Sequence, residues 1–419
     1  MTAAPPGRPP FAAWLGETNA VTRTFLAAGR VQGLVNLAGG LPEPDTWPAA
    51  ELARIAHRAI AETPAEALAY PPIDGLPRLR DLLAARFSTG DLHLGRENVL
   101  VVTGGMQGLD LIGKVLIDPG GVIAAQAPAY LGALDAWRPR APAYRPLRLG
   151  TPGCDPAAAM AGAQFAYAVP NFSNPTGRLV PLEERRELVA AAEATGCWLV
   201  EDDPYGTLHY DGPALPRLLT LSARGAPVYR GPVVYMGTLS KELAPGLRVG
   251  WVIAAPEMIE ALTLAKQGSD MCTPGLSQVI AAEAFESGLV DRCLPATLAL
   301  YRARRDALLA AMDRHLAAEF DWQVPTGGMF VWARARDPGL DTDALLDEGL
   351  RHGVCVSPSS VFDPEGRDRS GLRINFTLNP PDRLEEGVRR LAGAVAASRG
   401  KAGIGPNSLQ SGGSGVTSG

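Results

Sequence analysis

The chain has 419 residues, of which 46% are hydrophobic and 20% charged, and it carries a formal net charge of −5 at pH 7. That is the make-up of a globular protein with chain enough for one large domain or two ordinary ones, and it excludes a disordered or fibrous protein. No run approaches the ~18 uncharged apolar residues of a membrane span, and the interspersed charges argue against a nucleic-acid binder.

The five cysteines (Cys154, Cys197, Cys272, Cys293, Cys355) and five histidines are scattered, without the spacing of a zinc or redox site. This points to a reduced, cytoplasmic compartment and away from a metal enzyme. The Pro-rich start, MTAAPPGRPPFAAW, lacks the apolar core of a signal peptide. Of the 39 basic residues only four are lysines (Lys114, Lys241, Lys266 and Lys401), so few side chains can serve as a nucleophilic amine.

From about residue 97, short apolar runs alternate with helical patterns. ENVLVV (97–102) reads as a strand and MQGLDLIGKVL (106–116) as the helix after it; GVIAAQ (121–126) is the next strand, followed by a helical stretch around 130–137. QFAYAV (164–169) is a third strand, LEERRELVAAAEATG (182–196) a helix closed by glycine, and CWLVED (197–202) the strand that follows. VVYMGT (233–238) and VGWVIAA (249–255) are further strands. Strands this uniformly apolar, separated by helices, predict an α/β fold with a mostly parallel central sheet and helices on both faces. Helical patterns at 256–268 and 276–317 lead to a smaller α+β unit with strands at 328–335 and 371–378. The Gly/Ser-rich end, from Gly400 on, reads as a flexible tail.

Three lysines have plain readings: Lys266 and Lys401 as solvated charges, Lys114 as a helix residue whose stem lies along the surface. Lys241 stands in GTLSKELAPGLRVGW (237–251), just past an apolar strand, with Thr238, Ser240 and Arg248 nearby. Read plainly this is a strand end and a Pro-Gly turn. Read chemically it is a Schiff-base lysine beside a phosphate site, because hydroxyls and a guanidinium suit a phosphate dianion. Strand CWLVED ends in Asp202-Asp203-Pro204-Tyr205, and a carboxylate there points into the crevice where α/β sheets bind ligands. A buried aspartate in that place calls for a cation, and a protonated pyridine nitrogen is one. Asn174-Pro175-Thr176-Gly177 follows the third strand, and VVTGGMQG (101–108) is a strand, glycine turn and helix start that offers backbone N–H groups to an anion.

In order and setting these pieces resemble the fold-type I pyridoxal-phosphate enzymes, specifically class I/II aminotransferases of the aminoadipate/kynurenine and valine-type subgroup. The resemblance spans roughly residues 17–397. It implies pyridoxal 5'-phosphate as cofactor and transfer of the α-amino group of an amino acid to a 2-oxo acid. By motif, Lys241 of SKELAPGLR would form the aldimine, Asp202 and Tyr205 of EDDPY would hold the ring nitrogen and ring hydroxyl, and Asn174 of NPTG would share the ring oxygen. Gly105, Met106 and Gln107, with Thr238, Ser240 and Arg248, would bind the phosphate; Tyr130 of APAYLGAL would stack on the ring. Tyr70 of ALAYPPIDG would reach the phosphate in a neighbouring subunit, which implies a homodimer with shared active sites. Arg373 of GLRINF would grip the substrate α-carboxylate, Gly40 of GGLP would touch the substrate, and Arg23 would meet its side chain.

The same resemblance divides the chain into an N-terminal arm (1–45), a large cofactor domain (46–285), a small C-terminal domain (286–398) and a tail (399–419). Departures from the family pattern at Met106, Leu239, Glu242, Ser359 and MCTPG (271–275) keep elimination, replacement, cyclisation or oxidation of an amino acid open beside transamination. Some regulators carry this fold behind a DNA-binding domain, but only about 35 residues precede the GGLP segment, too few for a helix-turn-helix module.

Overall fold

The computed structural model describes residues 11–17, 20–28, 31 and 33–402. Among them thirteen strands are present: β1 (Val35–Asn36), β2 (Val99–Val102), β3 (Val122–Gln126), β4 (Ala143–Leu147), β5 (Phe165–Ala168), β6 (Trp198–Asp202), β7 (Val233–Thr238), β8 (Gly250–Ile253), β9 (Phe320–Trp322), β10 (Phe330–Ala335), β11 (Val354–Cys355), β12 (Ser357–Pro358) and β13 (Gly371–Asn375). Seven form one sheet in the order β2-β8-β7-β6-β5-β3-β4. The run from β4 to β7 is parallel throughout, whereas β8 lies antiparallel to both of its neighbours.

The apolar runs are continuous because both faces of this sheet are covered. Leu100 and Val102 of β2 join one hydrophobic cluster while Val99 and Val101 join another; Val234 and Met236 of β7 separate in the same way from Val233 and Tyr235. Successive side chains of a strand point to opposite faces, so a strand buried on both sides has no polar alternation. Strand β4 breaks this rule and escaped the sequence reading. It forms one edge of the sheet, its AYRPL sequence is half exposed, and it tolerates Pro146 because nothing pairs beyond it.

The parallel arrangement gathers the carboxyl ends of the strands at one edge. Strand β2 ends there before the Gly104 turn, β6 ends at Asp202, and β7 ends at Thr238. Because β8 is antiparallel, its amino end arrives at the same edge with Arg248 just ahead of it.

A four-stranded antiparallel sheet, β12-β13-β10-β9, carries Arg373 at its centre, opposite Trp332 on one side and Ser357 on the other. Strand β1 pairs with β11, which ties the segment before Gly39 to this part of the molecule. The helical pattern expected over 276–317 is two helices, Gly275–Glu286 and Leu289–His315. Gly288 divides them at φ +68°, a conformation that glycine enters without steric cost. The last helix runs through Ala402, and the rest of the expected tail lies outside the described residues. No helix among the described residues is long and apolar enough to cross a membrane.

Candidate active site

A cavity of about 590 Å³ opens where the strand ends converge, and Lys241, Asp202, Asn174, Tyr130, Tyr205 and Arg373 all line it. Gly40, Gly105, Met106, Thr238, Ser240 and Arg248 line it as well. Residues spread over more than 330 positions are therefore brought together by the sheet edge and the GGLP segment folded across it.

Lys241 stands in the turn that leaves β7. Its Nζ donates to the Gly40 carbonyl at 2.8 Å. Burial, then the Arg373 and Arg248 charges, lower the pKa of this amine from the usual lysine value to about 8. The turn is held from below. Thr238 Oγ1 donates to the Val249 carbonyl at 3.1 Å and accepts from the Ser240 N–H at 3.1 Å.

Asp202 closes β6 with its carboxyl buried. Tyr167 Oη, on neighbouring β5, donates to Oδ2 at 2.7 Å. Burial pushes the carboxyl pKa up to about 6, and the Tyr167 hydrogen bond pulls it back only in part. None of the groups that shift it is a cation, so the site holds a carboxylate whose ionised form lacks a counter-charge.

Arg373 is enclosed on all sides. Its guanidinium lies 4.5 Å from the Phe330 ring centre and 4.8 Å from that of Phe362. Nη1 donates to Asn174 Oδ1 at 2.7 Å, and Nη2 donates to Ser357 Oγ at 3.2 Å and to the Ala38 carbonyl. Nε is buried with no partner among the described residues. Burial lowers even this guanidinium, to about 10. The Asn174 amide bridges onward, its Nδ2 lying 3.5 Å from Tyr205 Oη. Tyr130, at the start of the helix Leu131–Trp137, has its phenol pushed up to about 12, first by burial and then by the Asp202 charge.

The glycine turn forms the far wall. Gly104 has φ +86°, and a Cβ there would sit 2.3 Å from Arg248 Nη2, so the guanidinium reaches the turn only because the residue is glycine. The helix that follows, Gly105–Leu116, has no side-chain cap, so the N–H groups of Gly105 and Met106 are left for an external acceptor.

Three expected site residues stand elsewhere. Gln107 does not line the cavity. Its N–H bonds the Gly104 carbonyl, and its side chain turns beneath the turn toward Thr103. Tyr70 is 86% exposed and outside the cavity. Arg23, on the helix Ala20–Ala28, is exposed and does not line it either.

The lysine readings need one correction. Lys266, expected to be solvated, is fully buried, because Asp270 and Gln107 supply it with hydrogen bonds at 2.6 and 2.9 Å. Lys114 is partly exposed and bonds Asp110 and Ser269, and the Lys401 side chain lies outside the described residues. Ser359, one of the departures from the family pattern, does not line the cavity; its hydroxyl donates to the Asp368 carbonyl and accepts from the Gly371 N–H. Tyr167 was missed because FAYA reads as core; the signal was a phenol in a doubly buried strand, which needs a partner.

A family model described as aminotransferase class I and II matches residues 33–391. The chain belongs to this family. As a class I/II aminotransferase it is 36% identical to the 2-aminoadipate transaminase of Thermus thermophilus, over 92% of this chain and 96% of that protein. It is 34% identical to aromatic-amino-acid aminotransferase 1 of Thermococcus litoralis, over 91% and 92% of the two chains. Among solved structures, the Thermus thermophilus α-aminoadipate aminotransferase complexed with N-(5'-phosphopyridoxyl)-L-leucine superposes with a TM-score of 0.84 at 34% identity, covering 93% of this chain and 98% of that one. The aminotransferase therefore has the fold-type I architecture, and it is a transaminase. The family implies pyridoxal phosphate as cofactor.

The cavity's own chemistry fits that cofactor. Arg248, Ser240 and the free N–H groups at Gly105 and Met106 are donors for a phosphate, and the uncompensated Asp202 carboxyl calls for a protonated ring nitrogen. Tyr130 offers an aromatic face on the same cavity.

Proposed function

We propose that this transaminase seats pyridoxal phosphate in the cavity, with the phosphate at the Gly104–Gly105 turn and the ring nitrogen at Asp202. Lys241 is then both the amine that attaches the cofactor and the base of the reaction. One observation carries the reading: a single lysine with a lowered pKa shares a cavity with a buried carboxylate that has no cation of its own.

When bound, pyridoxal phosphate supplies an electron sink conjugated with the substrate Cα. The protein supplies the rest. Asp202 would hold the proton on the ring nitrogen, and Tyr205 and Asn174 would hydrogen-bond the ring oxygen. Arg373 takes the substrate α-carboxylate on a guanidinium already clamped by Phe330 and Phe362, so little freedom is lost on binding. Nζ of Lys241, an amine whose proton affinity burial lowers, removes the proton at the substrate Cα. The GGLP segment, through the Gly40 carbonyl, closes the cavity over that nitrogen.

The amino group goes from an amino acid to a 2-oxo acid. The donors named for relatives, 2-aminoadipate and aromatic amino acids, head the panel to be tried. A cytoplasmic homodimer completes the reading: the cysteines are free thiols, and the exposed Tyr70 beside exposed Leu68 is available to a second copy's site. Residues 46–285 form the cofactor domain and 286–398 the small domain, with the N-terminal arm before them.

Borohydride reduction of the cofactor-loaded protein should fix the cofactor to one peptide, the one that contains Lys241. Labelling of Lys114 or Lys266 instead, or no conversion of cofactor absorbance to the pyridoxamine form across a broad donor panel, would sink the proposal.

A further inference from the structure

Beneath the glycine turn lies a polar cluster, centred on a buried lysine, that takes no part in the chemistry just described. Lys266, in the last turn of the helix Pro256–Gln267, is fully buried. Its Nζ donates to Gln107 Oε1 at 2.9 Å and to Asp270 Oδ1 at 2.6 Å. Gln107 Oε1 also accepts from the Thr103 N–H at 2.7 Å, and Asp270 Oδ2 accepts from Thr103 Oγ1 at 2.7 Å. Thr103 Oγ1 lies 3.1 Å from Thr273 Oγ1, and the Thr103 carbonyl accepts from Arg248 Nη2 at 3.4 Å.

Every polar group of Thr103 is thus held, and two of its four partners, Gln107 and Asp270, lead back to Lys266. Thr103 is the residue immediately before Gly104. It leads into the turn that carries the Gly105 and Met106 N–H groups, and its carbonyl is one of the two that hold the Arg248 guanidinium. Burying an ammonium is costly, and an apolar side chain of similar length would cost the fold less. Burial pushes this amine's pKa down while Asp270 pulls it up. A role in stability alone is therefore a poor account of the cluster.

We infer that Lys266, acting through Gln107, Asp270 and Thr103, is a positioning residue that aims the glycine turn and Arg248 at the phosphate of the cofactor. The inference rests on the seating of the phosphate proposed above. It makes Lys266 specific for the phosphate end: the ring, the substrate carboxylate and Lys241 are served by other residues.

The test compares binding of pyridoxal phosphate with binding of pyridoxal, which has the same ring and aldehyde and no phosphate. Dissociation constants are measured by absorbance titration of the cofactor-free protein, wild type and Lys266→Met, with the unfolding midpoint recorded for each. A charge-assisted hydrogen-bond network lost at the phosphate end should cut the preference for the phosphorylated form by roughly tenfold. Pyridoxal affinity should move little, and the unfolding midpoint establishes that the variant is folded under the conditions of the titration. An unchanged preference in a folded Lys266→Met protein overturns the inference, as does an equal loss for both ligands, since that marks general loosening. A wild type that binds both forms equally well removes the phosphate seat itself, and the inference with it. Should Lys266→Met fail to fold, Asp270→Asn is measured in its place. It should lower the preference in the same direction, and an unaltered preference there overturns the inference equally.

Discussion

Tyr167 Oη lies 2.7 Å from Asp202 Oδ2, donated across the parallel pair β5–β6 into the base of the cavity. The phenol orients the carboxyl and favours its ionised form, while burial opposes that form more strongly. Without a cation above it, Asp202 is a group the fold would be easier without. With a protonated ring nitrogen above it, the same carboxylate becomes an ion pair.

Replacing Asp202 therefore separates stability from function. Its folded pKa, about 6, stands above the usual 3.8, so the group favours the folded state in acid and that contribution is lost as pH rises from about 4 to 6. Above pH 6 the ionised carboxyl costs the cofactor-free protein on the order of 3 kcal/mol. Asp202→Asn should unfold at higher urea than wild type at pH 8 without cofactor, by an advantage that shrinks toward pH 4, while turnover falls steeply. An advantage that grows in acid would reverse the argument. Tyr167→Phe should move the acid limb of kcat/KM to higher pH, because the hydrogen bond it removes lowers the Asp202 pKa.

Lys241 gives a second pH signature. Its pKa falls to about 8 in the folded protein, so it deprotonates well before an ordinary lysine near 10.5. The cofactor-free protein should take up pyridoxal phosphate at a rate that rises with pH and reaches half its plateau near pH 8. Stability from this group should rise between about pH 8 and 10.5, where only the unfolded chain keeps the proton. A half-point above pH 10 would place the amine in open solvent. Lys241→Ala should abolish both uptake of the covalently held cofactor and turnover.

Arg373→Lys keeps the charge and loses the fork. The guanidinium donates to Asn174, Ser357 and Ala38 while stacked between Phe330 and Phe362, and an ammonium can reproduce neither the fork nor the stacking. Truncating one partner of a buried charge pair costs about 2–5 kcal/mol, so kcat/KM for α-amino acids should fall by roughly a hundredfold or more. Amines without a carboxylate should be little affected in steady-state assays. An equal loss for both classes would show that Arg373 supports the cavity rather than the substrate.

Much of this protein was legible along the chain because the residues of its candidate site stand at strand ends. A doubly buried strand announces itself as an apolar run, and the polar residues at its carboxyl end, EDDPY at the end of β6 or TLSKE at the end of β7, are delivered to one edge by the parallel arrangement. Edge strand β4 was illegible for the opposite reason, since it is half exposed and mixes Arg145 and Pro146 with apolar residues. The two-residue strands β1 and β11 are too short to leave any periodicity.

The sequence by itself determined the α/β class and the motifs at the strand ends, and it singled out Lys241, the lysine among the described residues that lines the cavity. These depend on neighbours a few residues apart. Only the tertiary structure decided that Lys266 is buried, that Tyr167 serves Asp202, and that Arg373 is clamped between Phe330 and Phe362. Each of the last two joins different strands or loops, and Lys266 reaches Gln107 across 159 positions of the chain. Such pairings follow from how the sheets and helices pack, and local sequence carries no record of them. A lysine four residues from an aspartate looks the same on a wet surface as it does beneath a glycine turn. What distinguishes the two is whether water or the rest of the protein surrounds the amine.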